Sequence, residues 1–213
     1  MPRVSIITLC HNDEQYLPEC IASVQAQTYT DYEHIIVDVA SDLPVWAADF
    51  RILRPLGLSS ARNYSWAWSQ GELVMHLDAD DKIHPRYLEH VVEHAGRGVI
   101  VCPQLIEFGG RRGTAGIPNE NDCTLAGFLK CNPIYYCSMY HPADYSAAGG
   151  YDYALDWLGC EDYELWTGMV SAGCRVKVVP EALFYYRVRA GSFTEQLGSA
   201  MDEGRAYVRK KHG

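Results

Sequence analysis

Apolar and polar residues alternate along this chain in blocks that predict their own secondary structure. Val4 to Leu9, mostly apolar, reads as a buried strand, and the polar stretch His11-Asn12-Asp13-Glu14 follows it. Tyr16, Leu17, Cys20, Ile21 and Val24 then recur at helical spacing, with Asn12 or Asp13 placed to cap the helix. His34 to Val37 predicts a second strand ending at Asp38, and Arg51 to Leu53 a short third one. Ser59 or Ser60 opens a helix that Gly71 closes. The apolar strand beginning at Leu73 stops on Asp78-Ala79-Asp80-Asp81. A helix is expected from Pro85, with proline in the favoured first turn, and Val99 to Cys102 predicts a further strand.

Strand and helix alternate in this way as far as residue 102, which predicts a parallel, Rossmann-like sheet flanked by helices. In such a sheet the residues that follow the strands gather at one edge, where ligands bind. Asn12, Asp38, Asp78 and Asp80 should therefore face one crevice. Two carboxylates one residue apart at that edge make a hard oxygen site suited to Mg²⁺ or Mn²⁺ carrying a diphosphate. The competing reading is an acidic turn in which Asp81 caps the next helix.

The second half has a different texture. A glycine-rich polar loop is expected from Gly109 to Asp122, long enough to be functional or mobile. Tyr135, Tyr136, Tyr140, Tyr145, Tyr151, Tyr153 and Trp157 crowd the next stretch, as core residues or as rings on which a sugar stacks. A helix from Glu161 to Ala172, closed by Gly173, precedes strands Val176 to Val179 and Leu183 to Arg187. A polar helix ending in Arg209-Lys210-Lys211 follows, its basic end matched to the helix dipole.

Composition narrows the function classes. The 213 residues, 48% hydrophobic, suffice for one domain or two closely packed halves. A net charge of −9 without a long basic run argues against nucleic acid as a partner. The eight cysteines contain no Cys-x-x-Cys pair, and no signal peptide is evident, so a reducing, cytoplasmic setting is expected. No apolar run approaches the ~20 residues of a membrane span. His90-Val91-Val92-Glu93-His94 has the spacing of a zinc-peptidase helix, but an amphipathic surface helix accounts for it better. A sugar nucleotidyltransferase would open with a glycine-rich loop after the first strand, and this chain has none there.

Taken in order, several motifs resemble the family 2 glycosyltransferases, inverting nucleotide-sugar enzymes of the GT-A fold. They are Val4-Ser5-Ile6-Ile7, Asn12, Tyr16-Leu17, Ile21, Ser23-Val24, Gln27-Thr28-Tyr29, Ile35-Ile36-Val37-Asp38, Ala61-Arg62-Asn63, Gly71-Glu72-Leu73 and Leu77-Asp78-Ala79-Asp80-Asp81. The likeness resumes at Gly149-Gly150-Tyr151-Asp152, Glu161-Asp162-Tyr163-Glu164-Leu165-Trp166 and Tyr185-Tyr186-Arg187. Each motif alone is weak; their order over most of the chain is specific.

The resemblance implies a metal-dependent inverting transferase. A sugar would pass from a nucleotide-sugar, a UDP-sugar first among them, to a glycan or other hydroxyl acceptor. It implies Asp80, with Asp78, as ligands of Mn²⁺ or Mg²⁺. Leu9 (through its backbone), Asn12, Asp38, Arg54, Arg62, Asp78 and Ala79 would form the nucleotide-sugar site. Asp162 would be the catalytic base beside Glu161, and Asp152, Tyr151 and Trp157 would lie on the acceptor side. Residues 1–102 would form the nucleotide-sugar half, and residues 103–213 the acceptor half, of a single domain.

Two positions depart from the pattern. Val39 stands where relatives carry an aspartate facing uracil, and Arg187-Val188-Arg189 offers arginine where many have a metal-binding histidine. A nucleotide-sugar-binding domain without turnover is the non-enzymatic alternative.

Overall fold

The parallel sheet forms where the apolar runs place it. In a computed structural model that describes residues 1–110 and 118–213, strand β1 (Val4–Cys10) lies between β2 (Tyr32–Val39) and β4 (Leu73–His76), and β3 (Phe50–Ile52) flanks β2. All three pairings are parallel. A second sheet has the order β5 (Lys82–Ile83), β7 (Arg175–Val188), β6 (Val99–Gly109), with β5 antiparallel to β7. Met139 and Tyr140 join the two sheets: Tyr140 exchanges backbone hydrogen bonds with Val74, and Met139 with Val101. This is the expected α/β architecture, a mostly parallel sheet flanked by helices.

Side chains alternate across these strands, so each face buries its own core. Val4, Ile6, Leu73 and Met75 join Val101, Met139, Val179 and Phe184 on one face. On the other, Ile7 and Val74 join Ile100, Phe128, Tyr140, Trp166 and Val208. Both cores draw residues from both halves of the sequence.

The helices in chain order are α1 (Leu17–Gln25), α2 (Leu58–Trp66), α3 (Tyr87–Val92), α4 (Leu125–Phe128), α5 (Pro142–Ala148), α6 (Glu161–Ser171), α7 (Phe193–Leu197) and α8 (Ala200–His212). Among the described residues no helix is long and apolar enough to cross a membrane.

Several expectations need correction. Neither Asn12 nor Asp13 caps α1; Tyr16 occupies the cap position without a side-chain bond. Helix α3 starts at Tyr87, after its cap residue Arg86, and Asp81 does not cap it. The segments expected as two strands, 176–179 and 183–187, are one strand, β7, which runs straight through Pro180. Its register against β6 slips between Pro103 and Leu105, a bulge that absorbs the residues around the proline. Strand β6 continues to Gly109, beyond the expected end at Cys102. The long polar loop expected to begin at Gly109 lies partly outside the described residues.

Candidate active site

Parallel pairing sets the edge of the site. Cys10 stands opposite Asp38, and Ile7 opposite His76, so the chain leaves β1, β2 and β4 on the same side of the sheet. The first two exits are stitched together. His11 Nδ1 lies 2.7 Å from the carbonyl of Val39, the Asn12 amide donates to Ser41 Oγ, and the Asp42 amide donates to Asn12 Oδ1 at 2.9 Å. Asn12 and Ala40 both adopt left-handed backbone, which Asn tolerates and Ala resists, so the turn at Ala40 is held by these contacts.

Asp38 is fully buried, and its carboxylate is committed within this loop. It accepts from the amides of Ser41 (2.9 Å) and Val45 (3.2 Å) and pairs with Arg51 Nε at 3.0 Å. It braces the loop after β2, with Arg51 as its partner. Arg54 is exposed on the segment after β3.

At the β4 edge each carboxylate has its own environment. Ala79 is buried between them. Asp78 pairs with Arg62 Nη2 at 3.2 Å, its amide donates to the Tyr136 hydroxyl, and burial pushes its pKa up to about 6 against the pull of Arg62. Asp80 Oδ2 accepts from Arg189 Nε at 2.7 Å. Asp81 is buried, accepting from the Arg187 amide (2.6 Å) and the Tyr136 hydroxyl (2.5 Å). Burial first, then repulsion from Asp80 and Asp78, holds its pKa well above the usual carboxylate range. Asp81 thus ties the β4 exit to β7.

Arg62 is the hub. It projects from α2, is 1% exposed, and lies against the rings of Tyr136 and Tyr151, its guanidinium carbon 5.1 and 5.6 Å from their centroids. Its Nη1 is 3.3 Å from Glu161 Oε1, so one guanidinium joins the β4 edge to the start of α6. The neighbouring Asn63 fixes the same geometry from the next position. Its side chain donates to the carbonyl of Tyr151 and accepts from the Tyr151 amide and the Tyr145 hydroxyl.

Helix α6 begins abruptly. Gly159 and Cys160 are both left-handed, and Glu161 and Asp162 are its first two residues. Burial raises the pKa of both carboxylates, Arg62 opposes the rise in both, and Asp162 adds to that of Glu161. Raised proton affinity at Asp162 agrees with expectation, but burial is its main cause. Asn132 Nδ2 donates to Asp162 Oδ2 at 3.0 Å, a contact that no sequence pattern announces.

Of the expected acceptor residues, Trp157 is 62% exposed, as is the neighbouring Tyr153 at 65%. Tyr151 is buried beneath Arg62, with its hydroxyl 3.1 Å from His76 Nδ1, and supports the site from below. Asp152 faces α8, bonding Tyr207 at 2.7 Å and Lys211 at 2.8 Å. Tyr140 and Tyr145 are core residues. On the helix with the zinc-peptidase spacing, His90 lies 3.9 Å from Glu181.

The site thus consists of acidic strand ends over a parallel sheet and a helix headed by two carboxylates, and the chain that carries it has known relatives. The family model "Glycosyl transferase family 2" matches residues 5–138, more than half of the chain. The chain is a family 2 glycosyl transferase. An uncharacterized glycosyltransferase of Haemophilus influenzae is 25% identical over 99% of the chain and 73% of its own length. The uncharacterized glycosyltransferase EpsJ of Bacillus subtilis is 32% identical over 95% of the chain and 66% of its length. Residues 1–349 of S. aureus TarS, solved with UDP-GlcNAc, superpose with a TM-score of 0.75 at 18% identity, over 98% of this chain and 66% of that one. This glycosyl transferase therefore spans just under two thirds of EpsJ and of TarS 1–349, and 73% of the Haemophilus protein.

Proposed function

We propose that this family 2 glycosyl transferase moves a sugar from a nucleotide-sugar, a UDP-sugar first among candidates, to a hydroxyl of a glycan acceptor with inversion at the anomeric carbon. The observation that carries the reading is Arg62 bridging Asp78 and Glu161, which makes the nucleotide edge and the base-bearing helix one electrostatic unit. The relatives support the donor class: TarS was solved with UDP-GlcNAc and with UDP, and a similar B. subtilis protein, GgaB, is described as a minor teichoic acid biosynthesis protein.

Inversion is a single displacement. The acceptor oxygen attacks the anomeric carbon, the bond to the diphosphate oxygen breaks, and the hydroxyl proton passes to a base. Asp162 is that base. The N-terminus of α6 and the Asn132 amide favour its charged form, while burial keeps its proton affinity high enough to draw a proton from a hydroxyl. Glu161 sets the charge around it through Arg62.

The β4 carboxylates fit a divalent cation in donor chemistry. Asp78 and Asp80 each have a second oxygen besides the one paired with arginine, and hard oxygens suit Mn²⁺ or Mg²⁺. Among the described residues no three His, Cys, Asp or Glu side chains converge on a ready-made cage, so water and diphosphate oxygens would complete the coordination. When bound, such an ion neutralises charge developing on the leaving diphosphate.

Calorimetric titration of UDP, with Mn²⁺ and then with EDTA, tests this reading. Binding that needs the metal is expected, together with slow hydrolysis of at least one UDP-sugar. If UDP, dTDP and GDP all fail to bind in either condition, the reading falls. Binding without turnover of any donor leaves a domain that only holds nucleotide-sugars.

A further inference from the structure

Where β7 leaves the sheet, two arginines two residues apart reach back over the β4 edge, and the structure uses them differently. Arg187 is fixed in place. Its amide donates to Asp81, its Nε donates to the carbonyl of Asp80 at 2.7 Å, and its guanidinium carbon stands 4.7 Å from the Tyr16 ring centroid and 4.4 Å from that of Phe108. Its Nη2 also lies 3.1 Å from Glu19. Arg189 spends its donors on carboxylates. Nε donates to Asp80 Oδ2 at 2.7 Å, and Nη2 donates to both oxygens of Asp13 at 2.8 and 2.9 Å, with the group 5.1 Å from the Tyr16 ring. It thereby joins the β1 exit to the β4 edge.

We propose that Arg189 is the protein's own counter-ion at Asp80: it withholds this carboxylate from divalent cations in the free enzyme and transfers to the diphosphate when the donor binds. The diphosphate half of the proposal rests on the nucleotide-sugar reading. A divalent ion bonded to Asp80 at about 2.0–2.6 Å and a guanidinium hydrogen-bonded to the same carboxylate repel each other as like charges, so one weakens the other. The Arg189 side chain is 21% exposed and that of Asp80 17%, so the pair can open without stranding a charge in a dry core. A planar guanidinium also matches phosphate oxygens in pairs, which gives Arg189 a better partner once a diphosphate arrives. Metal and nucleotide should consequently bind as a set, and the metal alone weakly.

The test is Mn²⁺ binding without nucleotide, followed by electron paramagnetic resonance, in the wild type, Arg189→Gln and Arg189→Met. The Met variant keeps aliphatic packing against Tyr16, and Asp80→Asn reports whether the signal belongs to this site. Both Arg189 variants should bind Mn²⁺ about tenfold more tightly than the wild type, about 1.4 kcal/mol. Their affinity for UDP at saturating Mn²⁺ should fall. Equal or weaker Mn²⁺ binding in a folded Arg189 variant overturns the proposal, whatever UDP does. A wild type that fails to bind UDP, with the Mn²⁺ difference intact, removes the nucleotide reading and the diphosphate half while leaving Arg189 as the guard of Asp80.

Discussion

At the scale of single residues the molecule turns on Arg62, whose charge is enclosed and whose partners come from opposite sides of the site. Replacing it with Met removes the cation that pairs with both Asp78 and Glu161 and leaves Glu161 buried beside Asp162. Breaking a buried ion pair by removing one partner costs about 3–5 kcal/mol, and Asp78, with 36% of its side chain exposed, keeps the expected loss near the lower end. Urea denaturation of Arg62→Met should show it, as a lower midpoint at unchanged slope.

Asp162 gives a kinetic prediction. Asp162→Asn should lower transfer by 10²–10⁴-fold while UDP still binds, because a general base contributes on that order. The sign of the pH dependence follows from the raised proton affinity. As the proposed base Asp162 must be deprotonated to act, so activity should be present above its pKa and lost as pH falls through it. Burial places that loss above the ordinary carboxylate range. Asn132 donates to the charged form; Asn132→Ala should move the acid limb of the kcat/KM profile to still higher pH. A limb that stays put would show that Asn132 only packs. Arg62, Asp78 and Glu161 also face this carboxylate, so the limb belongs to the Glu161–Asp162 pair.

At the scale of elements, α2 owes its position to a residue far along the chain. Its own cap residue, Gly57, offers no side chain, and Asp156 supplies the missing acceptor, taking the Ser60 amide at 2.6 Å and the Ser60 hydroxyl. A Cβ at Gly57 would stand 2.2 Å from that of Asp156, so only glycine lets the loop dock. Asp156→Ala should cost about 0.5–2 kcal/mol, the usual value of an N-cap. It should also speed hydrogen exchange in the loop that carries Trp157, which a thermal melt and amide exchange would report together.

Nothing local in the sequence pairs Asp156 with Ser60, which shows where reading a chain residue by residue stops. Strands β1, β2 and β4 and helix α6 are legible because apolar runs and acidic first turns are local signals. So are the sheet class and the places of Asp78 and Asp80 after a strand and of Asp162 in a helix's first turn. The continuous β7 is not, because a proline reads as a break, and only the bulge against β6 shows how it is accommodated. The Arg51–Asp38, Asn132–Asp162 and Arg189–Asp13 contacts are equally invisible. Each joins segments brought together by the fold alone, and the burial of Tyr151 against Arg62 is equally a product of the fold.

At the scale of the whole molecule, the two halves of the sequence are not two bodies. Each face of the sheet is packed with residues from both, and Met139-Tyr140 carries hydrogen bonding from β4 to β6. Helix α8 packs against α6 and the turn before it. Lys211 lies 2.7 Å and His212 2.8 Å from Glu164, which is 2% exposed, and Gly204 lets the helix approach the carbonyls of Leu158 and Gly159, in the left-handed turn that leads into α6. Arg62 adds a charged link across the site. Shared cores of this kind unfold together, so circular dichroism and intrinsic fluorescence should trace one coincident thermal transition. Two resolved transitions would mean that residues 1–102 and 103–213 fold separately. The same melt reads the site: UDP with Mn²⁺ at a hundred times its dissociation constant should add about 2.7 kcal/mol to the native state and raise the single midpoint. Because Arg62 ties the β4 edge to the start of α6, Arg62→Met should melt earlier and also gain less from the ligand. A full ligand-induced rise in that variant would show that the nucleotide edge holds its geometry without α6.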